Sequence, residues 1–260
     1  MAEKKAFFTD DELVERVWDM EQVKDLMSRH AYCLSGDQRR RELSELWVRK
    51  PQNRRTASLG LNNGFYVGMD EISNYYVVQN NELRYEQLKP YCQADPRLEF
   101  SNLNLGRGIM NIHTCGTPVY YIAEDGKTAR YMCYDVGIYT VGKPDKTASA
   151  YFIFGMVYAD LLKEDGQWKI WHLVMQHDHS IPAGKNYGEA VPVRLRPGDD
   201  PYAEEFGQPT IRRTVYDPFM GWEYMYQDMP RQYYSYNELE GYGPEGNMGI
   251  KWYDRERRAY

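Results

Sequence analysis

The hydrophobic positions change period partway along the chain, and the change divides it into three stretches. Over residues 9–50 the period is helical: Val23, Met27, His30 and Leu34 recur at three- or four-residue spacing and share one face. Thr9 followed by Glu12 is a capping box that starts this helix, and Gly36 ends it. A second helix runs through Leu43, Leu46 and Trp47 and ends near Pro51. Residues 55–68 read as a short strand or loop, with Leu59, Leu61 and Phe65 set among Asn and Gly. Helical spacing returns from Met69 to Gln93, where Ile72, Tyr75, Tyr76 and Gln79 form a stripe and Pro90 limits the element.

From about residue 107 the pattern is that of strands, over 107–123, 128–142, 148–163 and 167–179. Glu124-Asp125-Gly126-Lys127 and Lys163-Glu164-Asp165-Gly166 supply Asp-Gly turns, and Gly142-Lys143-Pro144-Asp145 makes the turn between them. Helices first and an antiparallel meander after is an α+β order. A sheet this long must curl to cover its apolar face. The expected architecture is a cone-shaped, curved antiparallel sheet with three N-terminal helices closing a pocket, plus a long C-terminal arm. Residues 1–18 form a helical extension, 19–180 the cone and 181–260 the arm. The arm carries eight prolines from Pro182 to Pro244 and loses strong periodicity. Short helices are expected near 219–228. The arm is too aromatic for a disordered tail, so it packs on the domain or on a neighbouring subunit.

Composition narrows the function classes. The net charge of -6 over 260 residues, with one short basic run at Arg39-Arg40-Arg41, argues against nucleic acid. That run is followed at once by Glu42 and Glu45 and reads as a solvated helix start. No stretch is long and apolar enough to span a bilayer, and no apolar run follows the two N-terminal lysines. The four cysteines (Cys33, Cys92, Cys115, Cys133) form no C-x-x-C pair, which fits reduced thiols in the cytoplasm. The 24 tyrosines are the compositional oddity; a flat apolar ring with one polar handle suits packing and subunit contacts, and also a pocket for a ring-bearing ligand.

Five histidines hold the candidate chemistry: His30, His113, His172, His177 and His179. His30 lies on the apolar face of the first helix, and Asp37 is two turns further along that face if the helix persists. A carboxylate there would orient the imidazole and raise its basicity. The plainer alternative is a core histidine bonded to backbone, with Asp37 capping the next helix. Strand alternation puts Asn111, His113 and Cys115 on one face, and Tyr131, Cys133 and Asp135 on one face of the next strand. Paired about the Asp-Gly turn, His113 and Asp135 form a general base and its orienter, although a one-residue slip reverses the face. His177 and His179 share parity with Trp171, Leu173 and Met175. A His-x-His pair with His113 as third ligand suits zinc or iron, but polar pocket or rim residues are the preferred reading, so no metal is expected. No G-x-S-x-G, phosphate loop or dinucleotide fingerprint is present.

Four strings, taken in order, resemble one family. They are Arg29-His30-Ala31-Tyr32-Cys33-Leu34-Ser35-Gly36-Asp37, Gly68-Met69-Asp70-Glu71-Ile72, Ile112-His113-Thr114-Cys115-Gly116-Thr117-Pro118-Val119 and Asp165-Gly166-Gln167-Trp168-Lys169-Ile170. Over roughly residues 19–179 the chain is similar to the SnoaL-like polyketide cyclase and dehydratase branch of the nuclear-transport-factor-2-like superfamily. Its nearest functional likeness is to the bile-acid 7α-dehydratases and scytalone dehydratases. The resemblance implies a cofactor-free lyase in which a base removes a proton beside a carbonyl and a group leaves from the neighbouring carbon. His113 falls on the family histidine, and His177 where the bile-acid enzymes have a basic group. His30 stands where those enzymes have Tyr, and Ser35 where they have Asp, with Asp37 two positions later.

The implied mechanism has His113, oriented by Asp37 or Asp135, as base. His30, His177 or Tyr32 protonates the departing oxygen. Tyr32, Tyr131 and Tyr158 are the expected substrate-lining tyrosines, for a hydroxylated aromatic or polycyclic substrate losing water or formaldehyde. An isomerase or polyketide cyclase, and a non-catalytic ligand-binding or assembly module, are the alternatives. A homo-oligomer, dimer or trimer, is expected.

Overall fold

The computed structural model describes residues 8–61, 64–185, 191–192, 211–212 and 229–246. Helix α1 (Asp10–Ser35) starts at the capping box: Thr9 accepts from the Glu12 amide, and the Glu12 carboxylate accepts from the Thr9 amide at 2.9 Å. It runs unbroken past residue 18, so the N-terminal extension and the domain share one helix. Its buried face carries Val23, Leu26, Met27, His30 and Leu34, which is the predicted stripe. Helix α2 (Arg39–Glu45) is shorter than expected. Trp47 leaves it to bridge Ile170 of the sheet, and a third short helix, α3 (Pro51–Thr56), follows with proline in its first turn.

Residues 55–68 contain a hairpin, β1 (Ser58–Leu61) and β2 (Gly64–Val67). The helix expected from Met69 is three pieces end to end: α4 (Met69–Ser73), a π-helical turn at Asn74–Gln79, and α5 (Asn80–Ala94). Pro90 lies inside α5 and does not end it.

Four long strands follow: β3 (Ile109–Ile122), β4 (Thr128–Gly142), β5 (Ala148–Glu164) and β6 (Gln167–Pro182). They pair as the expected antiparallel meander. Asp165 (φ 49°) and Gly166 (φ 78°) both take left-handed conformations, which makes the β5–β6 connection the tight hairpin that Asp-Gly favours. The sheet is not wholly antiparallel, because β1 joins the far side of β6 in parallel register, Ser58 opposite His172. Short strands β7 (Val191–Pro192) and β8 (Ile211–Arg212) add to β6 and β2. Register shifts at Gly116/Val119, Phe154/Gly155 and Asp160/Leu161 bend the strands, as bulges do, and the open mixed sheet is curved.

Both faces of the sheet are covered over much of its length. The concave face packs α1, Trp47 and Tyr76 against Cys133, Val157, Ala159, Leu173 and Met175. The other face is covered by the described part of the arm, residues 229–246, which packs on this domain. Tyr242 is buried there with Phe65, Met132, Met156, Tyr158 and Val174. Asp160, fully buried, accepts hydrogen bonds from the Tyr242 amide and the Tyr236 hydroxyl and faces Arg130 at 3.8 Å. The Arg130 guanidinium in turn lies over the Tyr233 ring at 4.4 Å. The expected helices near 219–228 lie outside the described residues.

Removing the Tyr242 ring leaves a hole under the arm. Tyr242→Ala is expected to lower stability by about 3–5 kcal/mol, the usual cost of emptying an aromatic site. A denaturant titration of the variant against the parent chain checks this.

Candidate active site

The concave face of the sheet carries His113, Asp135 and His177. His113 on β3 sits opposite Gly137 on β4, and Asp135 on β4 sits opposite Gly155 on β5, which in turn opposes His177 on β6. The register of β3 against β4 shifts by one residue at Gly116/Val119, and beyond that shift His113 and Asp135 share a face. His113 Nδ1 lies 2.9 Å from Asp135 Oδ2 and 3.1 Å from Oδ1. His177 Nε2 approaches the same Oδ2 to 3.5 Å, and the two imidazoles stack at 5.9 Å between centroids.

Asp135 and His177 stand two strands apart, ~10 Å in backbone spacing. They meet because the residue between them has no side chain. A Cβ at Gly155 would sit 2.0 Å from the Gln176 carbonyl oxygen and 3.0 Å from His177 Cα. The bulge at Phe154/Gly155 sets the phase that turns His177 inward.

Asp135 is buried. Burial alone would raise its pKa, but hydrogen bonds and positive charge from His113 and His177 more than offset that and hold it well below the ordinary carboxylate range. The His113 amide donates to Ser35 Oγ at 2.9 Å, which ties the strand to the end of α1. A histidine held at Nδ1 by a carboxylate presents Nε2 as a base of defined direction. His113, Asp135 and His177 also place three ligand atoms within 4.8 Å of one another, so among the described residues these three could hold a metal ion. The His179 side chain lies outside the described residues.

Other predicted residues fall elsewhere. Asp37 is not on the His30 face: α1 stops at Ser35, and Asp37 takes a left-handed conformation (φ 53°) that carries its carboxylate to Arg84 at 2.8 Å and Asn80 at 3.0 Å. Its partners hold its pKa below the ordinary value despite burial. Tyr32 is 81% exposed. Tyr158 is buried on the opposite face, against Tyr242. Tyr131 does lie on the concave face, buried and stacked on Tyr120 at 5.8 Å. His172 is buried on the arm side, hydrogen-bonded to Ser58 Oγ at 2.8 Å, with its pKa pushed down by burial to about 3.

His30 is fully buried, and its carboxylate is Glu42, which the sequence reading treated as part of a solvated run. His30 Nδ1 lies 3.0 Å from Glu42 Oε1. Trp47 Nε1 donates to the same oxygen at 3.2 Å, and the Tyr76 hydroxyl donates to Oε2 at 2.9 Å. Burial pushes the His30 pKa down, but the Glu42 charge and hydrogen bond outweigh it and raise the value to about 9. A signal was present: Glu42 stands four residues before Leu46, on the inward face of α2.

Two predictions follow from this geometry. Gly155→Ala is expected to lose about 1–3 kcal/mol or more, because the added carbon meets backbone rather than a flexible side chain; thermal melting and the loss of the His113–His177 ring contact by NMR are the readouts. The stability-pH curve is expected to fall on both sides. Asp135, with its folded pKa depressed, contributes stability above its unfolded value near 3.8, and that contribution is lost as pH falls. His30, with its folded pKa raised, contributes fully below 6.5 and loses that contribution as pH rises through about 9. Denaturation midpoints taken across pH for the parent chain and Asp135→Asn check the acid limb, which the variant flattens.

No curated protein matches the chain. Solved structures similar to it include a candidate scytalone dehydratase from Novosphingobium aromaticivorans, at 14% identity and TM-score 0.45, covering 78% of this chain and 97% of that one. A candidate dehydratase of the NTF2-like family from Streptomyces avermitilis aligns at 13% identity and TM-score 0.46, covering 62% and 97%. A hexachlorocyclohexane dehydrochlorinase from Novosphingobium barchaimii aligns at 15% identity and TM-score 0.43, covering 69% and 98%. The SnoaL-like domain family matches residues 15–174, which is more than half of the sequence, and the chain belongs to that family.

Proposed function

We propose that the protein is a cofactor-independent lyase that eliminates water, or formaldehyde, from a small hydroxylated aromatic or polycyclic substrate. The observation that carries this reading is the His113–Asp135 pair, buried on the concave face with His177 against the same carboxylate. His113 Nε2 takes the proton from carbon. Asp135 fixes the ring through Nδ1 and stabilises the imidazolium that forms. His177 or His30 gives a proton to the departing oxygen. The proton taken and the proton given balance, so water leaves and a conjugated alkene remains. In the formaldehyde variant, the base takes the proton of a primary hydroxyl, that oxygen becomes the carbonyl, and the breaking carbon–carbon bond supplies electrons to expel a hydroxyl on the next carbon as water.

Buried Tyr131 and partly buried Tyr120, stacked on the same face, support an aromatic substrate. Exposed Met110, Ile112, Tyr134, Val136 and Phe152 on the outer face of the sheet, each 42–53% accessible, support assembly of subunits through that face. A mass-resolved assay over hydroxylated aromatic compounds is expected to find loss of water or formaldehyde. His113→Ala is expected to reduce turnover by ~10²–10⁴-fold, the worth of a positioned base. Full turnover in that variant removes His113 from the chemistry, and a product of unchanged mass turns the reading to an isomerase. Turnover that survives metal stripping is expected; turnover that vanishes and returns with added ion assigns the triad to a metal instead.

A further inference from the structure

Glu42 has no part in the chemistry just described, yet it is among the most completely buried charged groups of the chain. It is inaccessible to solvent and holds three hydrogen bonds, from His30, Trp47 and Tyr76, each from a different element. Trp47 and Tyr76 are themselves buried, so the carboxylate is fixed rather than free to follow the imidazole. Burying a carboxylate is costly unless its partners compensate, and a helix that only needed a solvated start would not place one here.

The His30 ring has two nitrogens with different fates. Nδ1 is taken by Glu42. Nε2, on the other edge of the ring, is buried and has no hydrogen-bond partner among the described residues. Besides Glu42, the groups that act electrostatically on the ring include Cys115 on β3 and Asp135 on β4. Around these lie Cys133, hydrogen-bonded to Cys115, and His113 on Asp135; around Glu42 lie Tyr76 and the Arg39 guanidinium stacked over its ring at 4.7 Å. A buried N–H without an acceptor costs about 1–3 kcal/mol, more if charged, so such a group needs a reason to remain.

We infer that Glu42 is a positioning residue: it locks the His30 ring through Nδ1 and keeps it protonated, so that Nε2–H is presented toward the concave face as the donor to an oxygen that carries or gains negative charge. This rests on the elimination reading for the identity of that oxygen, the departing hydroxyl or an enolate or phenolate oxygen of the substrate. It does not rest on it for the charge state of His30. The site then contains two imidazole–carboxylate pairs of opposite duty. His113–Asp135 accepts the proton. Glu42–His30 supplies one: the Nε2–H bond breaks as the oxygen–hydrogen bond forms, the carbon–oxygen bond releases its electron pair to oxygen, and His30 is left neutral with its Nδ1–H still on Glu42. The substrate class that fits is one whose leaving or activating group is an oxygen able to take a full hydrogen bond from a buried cation.

The test separates the two readings. Ring nitrogen-15 NMR of histidine-labelled protein, with His30→Asn used for assignment, is expected to show His30 as an imidazolium at pH 7, with a midpoint well above 7. In Glu42→Gln, which keeps an acceptor for Trp47 and for Nδ1–H but removes the charge, the midpoint is expected to fall below 7. Glu42→Asp is expected to restore part of the shift. A neutral His30 at pH 7 in the parent protein overturns the inference, and that measurement needs no variant to fold. An unchanged midpoint in a folded Glu42→Gln overturns it equally. With a substrate in hand, Glu42→Gln is expected to lower kcat by ~10–100-fold, within the span of a single acid–base group, with KM changed far less and the alkaline limb of the kcat profile moved to lower pH. A kcat loss with an unmoved profile assigns Glu42 to fold support alone. If no elimination is found but His30 titrates as expected, the positioning role stands and the lyase reading falls.

Discussion

One buried carboxylate organises the concave face. Asp135 cannot remain ionised away from water unless positive or hydrogen-bonding groups surround it. Two imidazoles meet that need from strands on either side, and much of the local backbone serves the meeting. Gly155 clears the path from Asp135 to His177. Gly137 opposes His113, where a Cβ would strike the Ile112 carbonyl oxygen. The β5–β6 bulge sets the phase of His177, and Ser35 anchors the His113 amide to α1. The chemistry proposed for the site depends on this arrangement holding still, because a base acts through a defined direction.

Two other histidines show how strongly a single neighbour decides charge. His30 and His172 are both buried completely. Burial alone takes His172 to about 3, whereas the Glu42 carboxylate carries His30 to about 9. His172, bonded to Ser58 and lying under the arm, is a neutral packing group. His30, also buried, is drawn toward its protonated form by the Glu42 carboxylate. The two faces of the sheet divide accordingly. The arm-side face also holds charges, Asp160 and Arg130, but they are spent on binding residues 229–246 through Tyr236, Asn237 and Tyr242. The concave face holds His113 and His30, each held at Nδ1 by a carboxylate.

The order of helices and strands was legible because apolar spacing reports it directly. The stripe of Val23, Met27 and Leu34 and the alternation of β3 and β4 became buried faces as read. His113 and Asp135 do meet as expected, but through the register shift at Gly116/Val119, which lies between the Asp125-Gly126 turn and His113 and moves the pairing by one residue. Asp37 was misplaced for a backbone reason: the helical period was carried past Gly36, where the chain leaves the helix. Tyr158 was misplaced because a strand buried on both faces gives no polar alternation to tell one side from the other. Glu42 was passed over because three arginines before it make the run look solvated, although its spacing to Leu46 puts it inward.

The sequence by itself determined the α+β order, the capping of α1 and the Asp-Gly hairpins, whereas the shared face of His113 and Asp135 waited on the register shift at Gly116/Val119. The first three depend on contacts between near neighbours or across one tight turn. Only the tertiary structure decided that β1 runs parallel beside β6, that His177 reaches Asp135 over Gly155, and that Glu42 and not Asp37 holds His30. Each of those joins residues distant along the chain, and their meeting is set by how the sheet bends and how the helices seat on it. The histidines and carboxylates could be singled out from their types and spacing, but which carboxylate belongs to which imidazole is a property of the packed chain.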